Sequence, residues 1–186
     1  MLFRSGRAQR RNSAIPACFQ IVCSLAGASD PAGQFTVTVR DLANNPLHGA
    51  SVVVDLSGCT DIAICSDQLD LGAIVNCASK TVRKFTCING QVQFGILGGS
   101  NGSGNATTLL GGAKIYANGT LIASPTAAVF DLDGSNGVGI NDLSVWLTEF
   151  GNGTSAASCG TGNGCPNVEQ VRTGDASLGP RPVSCP

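Results

Sequence analysis

The chain has 186 residues, enough for one domain of ordinary size or a small domain with appendages. Charged residues make up only 12%, against about 25% in an average protein, whereas Gly, Asn, Ser and Thr supply 68 of the 186. Two Glu and three Lys exclude a helical bundle or coiled coil, and an apolar share of 42% excludes disorder throughout, which leaves a mostly β domain with many turns.

The chain opens with Arg4, Arg7, Arg10 and Arg11 and no acid, followed by a mostly apolar stretch from Ala14 to Ala28. That stretch closes on Ala26-Gly27-Ala28, small residues of the kind signal peptidase accepts. Residues 1–28 are therefore expected to be a secretory signal, although Pro16 and Gln20 interrupt its apolar run; a basic leader on a misassigned start is the alternative. A secreted, extracellular or cell-surface location follows from the first reading. No stretch reaches the roughly 18 to 20 continuous apolar residues of a membrane span. Residues 29–186 carry seven basic and twelve acidic side chains, a net charge of −5, without a Lys/Arg cluster, so nucleic acid and anionic lipid are poor partners.

Gln34 to Arg40 alternates polar and apolar residues in steps of two, the pattern of a half-buried strand. A turn-rich connection over 41–49 leads to a second strand at 50–56, and further β-type runs stand at 80–86, 91–97, 113–117 and 126–130. Ile88-Asn-Gly90, a linker-like loop over 98–104 and Asn118-Gly119 separate them. Short strands spaced by turn signals describe a β-sandwich. Its expected core is Phe35, Val37, Val39, Val52, Val54, Phe85, Val92, Phe94, Ile96, Ile115 and Ala117, which fall at alternate positions.

Removal of the leader would take Cys18 and Cys23 with it and leave seven cysteines. Cys59, Cys65, Cys77 and Cys87 lie in the β-rich middle and could make two disulfides of undetermined pairing. Cys159 and Cys165 bracket a five-residue loop that a disulfide could close, and Cys185 is left over. Zinc is disfavoured, because there is no CxxC pair and His48 is the single histidine.

Four stretches carry a resemblance: Phe35 to Asp41, Asn45 to Val54, Thr86 to Phe94, and Gly112 to Ala117. In this order they resemble the successive strands of bacterial immunoglobulin-like domains of the invasin and intimin type, over residues 34–128. The resemblance implies an immunoglobulin-like β-sandwich over 29–128, acting as a spacer or adhesive surface module. The insertion from Cys59 to Cys77 departs from the simplest family pattern and is expected to be a surface loop stapled by disulfides.

Residues 131–142 have the spacing of a twelve-residue calcium loop. A hard dication needs several oxygens from a chain that turns sharply around it. Asp131, Asp133 and Ser135 fill the first, third and fifth positions, the Gly137 carbonyl the seventh, and Asp142 the last. Gly139 leaves room for a water at the ninth, and Asn136 stands where a positive φ is normally taken by glycine. The metal ligands expected here are thus Asp131, Asp133, Ser135, Gly137 and Asp142, with Ca²⁺ as the cofactor. Leu143, Trp146, Leu147 and Phe150 then follow helical spacing over about 141–149, up to Gly151.

A loop and helix of this kind over 129–151 is half an EF-hand and resembles a single calcium repeat of the type I dockerin domain. The resemblance implies a protein partner on a cell surface or scaffold, cohesin-like among the options. It is incomplete. No second repeat follows in 152–186, which is expected to be a flexible Gly/Ser/Cys/Pro-rich tail, and the positions that often carry cohesin contacts are Ile140 and Asn141.

Catalytic constellations are missing: His48 sits in a Pro-Leu-His-Gly turn, and the only glutamates are Glu149 and Glu169. The Asn-X-Ser/Thr triplets at Asn101, Asn105, Asn118 and Asn152 arise readily by chance in so Asn-rich a chain. The expectation is a secreted, non-enzymatic, calcium-binding adhesion or docking module. The alternatives are a self-associating fibre subunit built by strand addition, and an accessory fragment of a secreted polysaccharide-degrading enzyme.

Overall fold

The computed structural model describes residues 7–22, 31–60, 62–66, 68–100, 112–129, 131–132, 139–152 and 158–159. The chain is mostly β. Its strands in the first half are β1 (Cys18–Ile21), β2 (Gln34–Thr38), β3 (Ser51–Asp55), β4 (Ile62–Ile64), β5 (Ile74–Asn76) and β6 (Thr81–Phe85). There follow β7 (Gln91–Gly95), β8 (Gly98–Ser100), β9 (Lys114–Ala117), β10 (Thr120–Ala123) and β11 (Thr126–Val129), then α1 (Ile140–Asn152) and β12 (Ser158–Cys159).

Alternation drives the largest ladders. β10, β9, β3, β6 and β5 form a five-stranded antiparallel sheet in that order, with Val52, Val54, Val82 and Ile115 buried beneath it. Asn118 and Gly119, at φ 48° and 75°, supply the two left-handed residues that a tight β9–β10 hairpin requires. β2 pairs with β7, setting Phe35 opposite Phe94 and Val37 opposite Val92. β1, β11 and β12 form a third ladder and β4 and β8 a fourth. All four ladders contribute to one apolar core, which makes the domain sandwich-like.

Ten of the eleven expected core residues are buried, and Phe85 is the exception at 53% exposure. Val82 is the inward residue of β6, so Thr81, Arg83 and Phe85 face outward by strand parity. Phe85 lies opposite Ser51 on the outer face, with the Arg83 guanidinium 5.7 Å from its ring.

The 59–77 insertion is more than a stapled surface loop. It contains β4 and β5, and Ile62 and Ile64 are fully buried. Polar side chains fasten it to the strands beside it. Asp70 accepts from Lys84 Nζ at 2.7 Å and from the Gly95 amide at 3.0 Å. Gln68 Oε1 accepts from the Leu97 amide while its Nε2 donates to the Leu97 carbonyl, imitating a strand partner. The start of the expected 98–104 linker is likewise the buried strand β8. Only glycine fits at Gly98, because a Cβ there would collide with the Ala63 carbonyl oxygen.

The stretch read as a leader also has a place in the fold. Cys18 to Ile21 pairs in parallel with Thr126 to Val129, and Phe19, Ile21 and Val22 are buried. Within the expected tail, Ser158–Cys159 pairs antiparallel with β11; residues 160–186 lie outside the described residues. Cys18, Cys59 and Cys77 are disulfide-bonded, whereas Cys87 carries an exposed free thiol that donates to Asn89 and to the Gln91 carbonyl. The expected Cys159–Cys165 link lies outside the described residues. No described helix is long and apolar enough to cross a membrane.

Candidate metal site

β11 is buried along its whole length, with β1 on one edge and β12 on the other. Its sequence, Thr126-Ala-Ala-Val129, is small enough to be enclosed in this way. The chain that leaves this strand reaches Asp131 and Leu132 at once, both buried. The Asp131 carbonyl accepts from the Ser100 amide at 2.8 Å, so β8 holds the start of the loop. Its carboxylate lies against Gly99, where an added Cβ would stand 2.7 Å from Oδ2. Gly99 thus makes room for a carboxylate laid flat on β8.

The far end of the loop is built from the helix. Gly139 is the residue before α1, and Asp142 stands at the third helical position. Asp142 Oδ2 accepts from the Gly139 amide at 2.7 Å, satisfying a donor that the helix leaves unpaired. Its negative charge also suits the positive end of the helix dipole. Asp142 Oδ1 accepts from the Leu132 amide at 2.6 Å, which closes the loop onto itself. Asp142 is 1% exposed and Asp131 is fully buried.

Two of the five expected ligands are therefore brought to the two ends of one loop, joined through the Leu132 amide. Asp133, Ser135 and the Gly137 carbonyl lie outside the described residues. Among the described residues no group of three or more His, Cys, Asp or Glu side chains forms a metal centre. The donors present fit a hard cation. Carboxylate oxygens are what Ca²⁺ takes, and burying two carboxylates is costly unless positive charge or hydrogen bonds compensate them.

The helix packs on the core through Val145 and Trp146, with Leu143 half-buried. Leu147, expected on the packed face, is 54% exposed, and Ile140 is 77% exposed. The side chain of Phe150 lies outside the described residues. Gly99, Ser100 and Leu132 carry no site signal in the sequence. Gly-Gly-Ser looks like a linker, and the role of Leu132 is played by its backbone amide, which no side-chain pattern reports. His48 is exposed on the turn that precedes β3.

Comparison with protein-family models, with curated proteins and with solved structures finds no match.

Proposed function

We propose that this chain is a secreted, non-enzymatic, calcium-binding surface module. In this reading an immunoglobulin-like sandwich presents one dockerin-like calcium loop and helix, and the ion fixes the helix to the end of the sandwich. Asp131, Asp133, Ser135, Gly137 and Asp142 would hold Ca²⁺, which supplies charge compensation and rigidity to the loop.

The observation that carries the reading is the burial of Asp131 and Asp142 at opposite ends of a loop that Asp142 itself closes. Disulfide-bonded Cys18, Cys59 and Cys77 support an oxidising, extracellular setting. Exposed Ile140 and Asn141 at the start of α1 offer a contact for a protein partner on a cell surface or scaffold. A cohesin-like domain is one such partner.

Isothermal titration of the chain with Ca²⁺ tests the proposal. Heat of binding is expected for the wild type and its loss for Asp133→Ala. No heat with the wild type, or equal heat with Asp133→Ala and Asp142→Ala, would sink the ion site.

A further inference from the structure

A cleaved leader leaves no trace in the folded protein, whereas residues 7–22 are bound along their length. Gln9 donates its amide to the Arg40 carbonyl at 2.9 Å, and Ala14 and Thr38 exchange both backbone hydrogen bonds. Asn12 Nδ2 donates to the carbonyls of Asp41 and Leu42, and Ser13 Oγ accepts from the Arg40 amide. β1 follows, in register with β11, and the Thr126 amide donates to the Ala17 carbonyl. On its other side, Val22 accepts from the Gly98 amide and donates to the Ile96 carbonyl, both at 3.2 Å. β1 is thus laddered to β11 along one edge, and just past its end the isolated Val22–Leu97 bridge ties the segment to the chain on the other side.

Its side chains are committed too. Phe19 stacks on Phe35 with ring centroids 4.5 Å apart, Ile21 is fully exposed to the core and closed to solvent, and Ala8 is 1% exposed. Cys18 is disulfide-bonded. The two residues that spoil the stretch as a leader are accounted for by this arrangement. Gln20 is the half-exposed alternate position of β1, and Pro16, which cannot donate, falls before the strand begins.

We propose that residues 7–22, which end in β1 and Val22, are a permanent part of the functional protein and are not removed on export. The strand backs β11 directly ahead of the Asp131 loop. Without it, β11 and the Ile96–Gly98 segment would each present an unpaired edge, and the Phe35 ring would lose its cover.

The test uses the full chain recovered in folded form from an exporting host. Trypsin cuts after Arg11 and Arg40 and nowhere between, so one reduced peptide, Asn12–Arg40, reports continuity across the expected cleavage site after Ala28. Recovery of that peptide is expected. A peptide beginning between residues 23 and 30 in the folded protein would overturn the proposal. Hydrogen exchange of the same full chain gives a second readout: the Phe19, Ile21 and Val22 amides should be protected as well as those of β11, and free exchange there refutes a structural strand. A chain lacking residues 1–28 should melt lower by about 10 °C or more, or fail to fold; an unchanged melting temperature would count against the proposal.

Discussion

The five-stranded sheet and the junction from Asp131 to α1 are held by different forces. In the sheet, Val52, Val54, Val82 and Ile115 sit under the strands, and each ladder restates the alternation of its sequence. At the junction, one buried carboxylate takes the Leu132 and Gly139 amides, and a second lies on Gly99. Apolar burial is indifferent to cations and to pH. Closure through carboxylates would respond to the proposed calcium ion, so the two regions should differ in their response to it.

The largest effect should come from the body. Phe94→Ala removes a buried ring stacked on Phe35 and should lower unfolding stability by about 3–5 kcal/mol. Urea titrations with Ca²⁺ and with EDTA should return the same loss. A loss that depends on the ion would break the separation between the two regions.

The next effect is the ion itself. Calcium at a hundredfold excess over its dissociation constant should stabilise the fold by about 2.7 kcal/mol, read as a rise in melting temperature that EDTA reverses. Asp133→Ala should abolish that rise and leave the EDTA melt unchanged.

Asp142→Asn separates the ion from the cap. Asparagine offers one acceptor oxygen where two amides are served, so one buried donor loses its partner, at about 1–3 kcal/mol. This loss should persist in EDTA. Equal stability of wild type and variant without calcium would mean that the carboxylate does not close the loop.

Two small effects sharpen the contrast. Phe85→Ser on the outer face should change stability by no more than about 0.5 kcal/mol, whereas a core residue at that position would cost far more. Asp41 lies on the surface turn after Arg40, and the Asn45 backbone amide, then the Asn45 side chain, hold its carboxyl below the usual carboxylate range. Because its folded pKa is depressed, its contribution is present above the unfolded pKa and disappears as pH falls through the folded one. Acid titration followed by circular dichroism should show this small slope vanish in Asp41→Asn.

Legibility in the sequence followed the source of the structure. β2, β3, β6, β7, β9 and β11 are runs whose side chains carry the pattern, and they stand within two residues of their expected bounds. Phe85 faces outward against expectation because Val82 is the one buried residue of β6, and Lys84, on the same side by parity, is half-buried and paired with Asp70, so that side gives little apolar signal. β4, β5 and β8 are three residues each, too short for alternation to register, and β8 consists of two glycines and a serine. β1 coincides with the expected leader, and Phe19, Ile21 and Val22 satisfy either reading by composition alone. At the candidate site, the spacing of the acids was visible, while the backbone donors that receive Asp142 were not.

The pairing of Cys18 with Thr126 also has a consequence for the order of assembly. A ribosome delivers β1 early and β11 only after most of the chain has emerged, so this ladder must wait until the strands between them have been made. Parallel contacts over so long a separation pay a large loop-closure entropy and form late. Until then Phe19 and Ile21 stand uncovered, and the nascent chain is most exposed to misassociation during that interval.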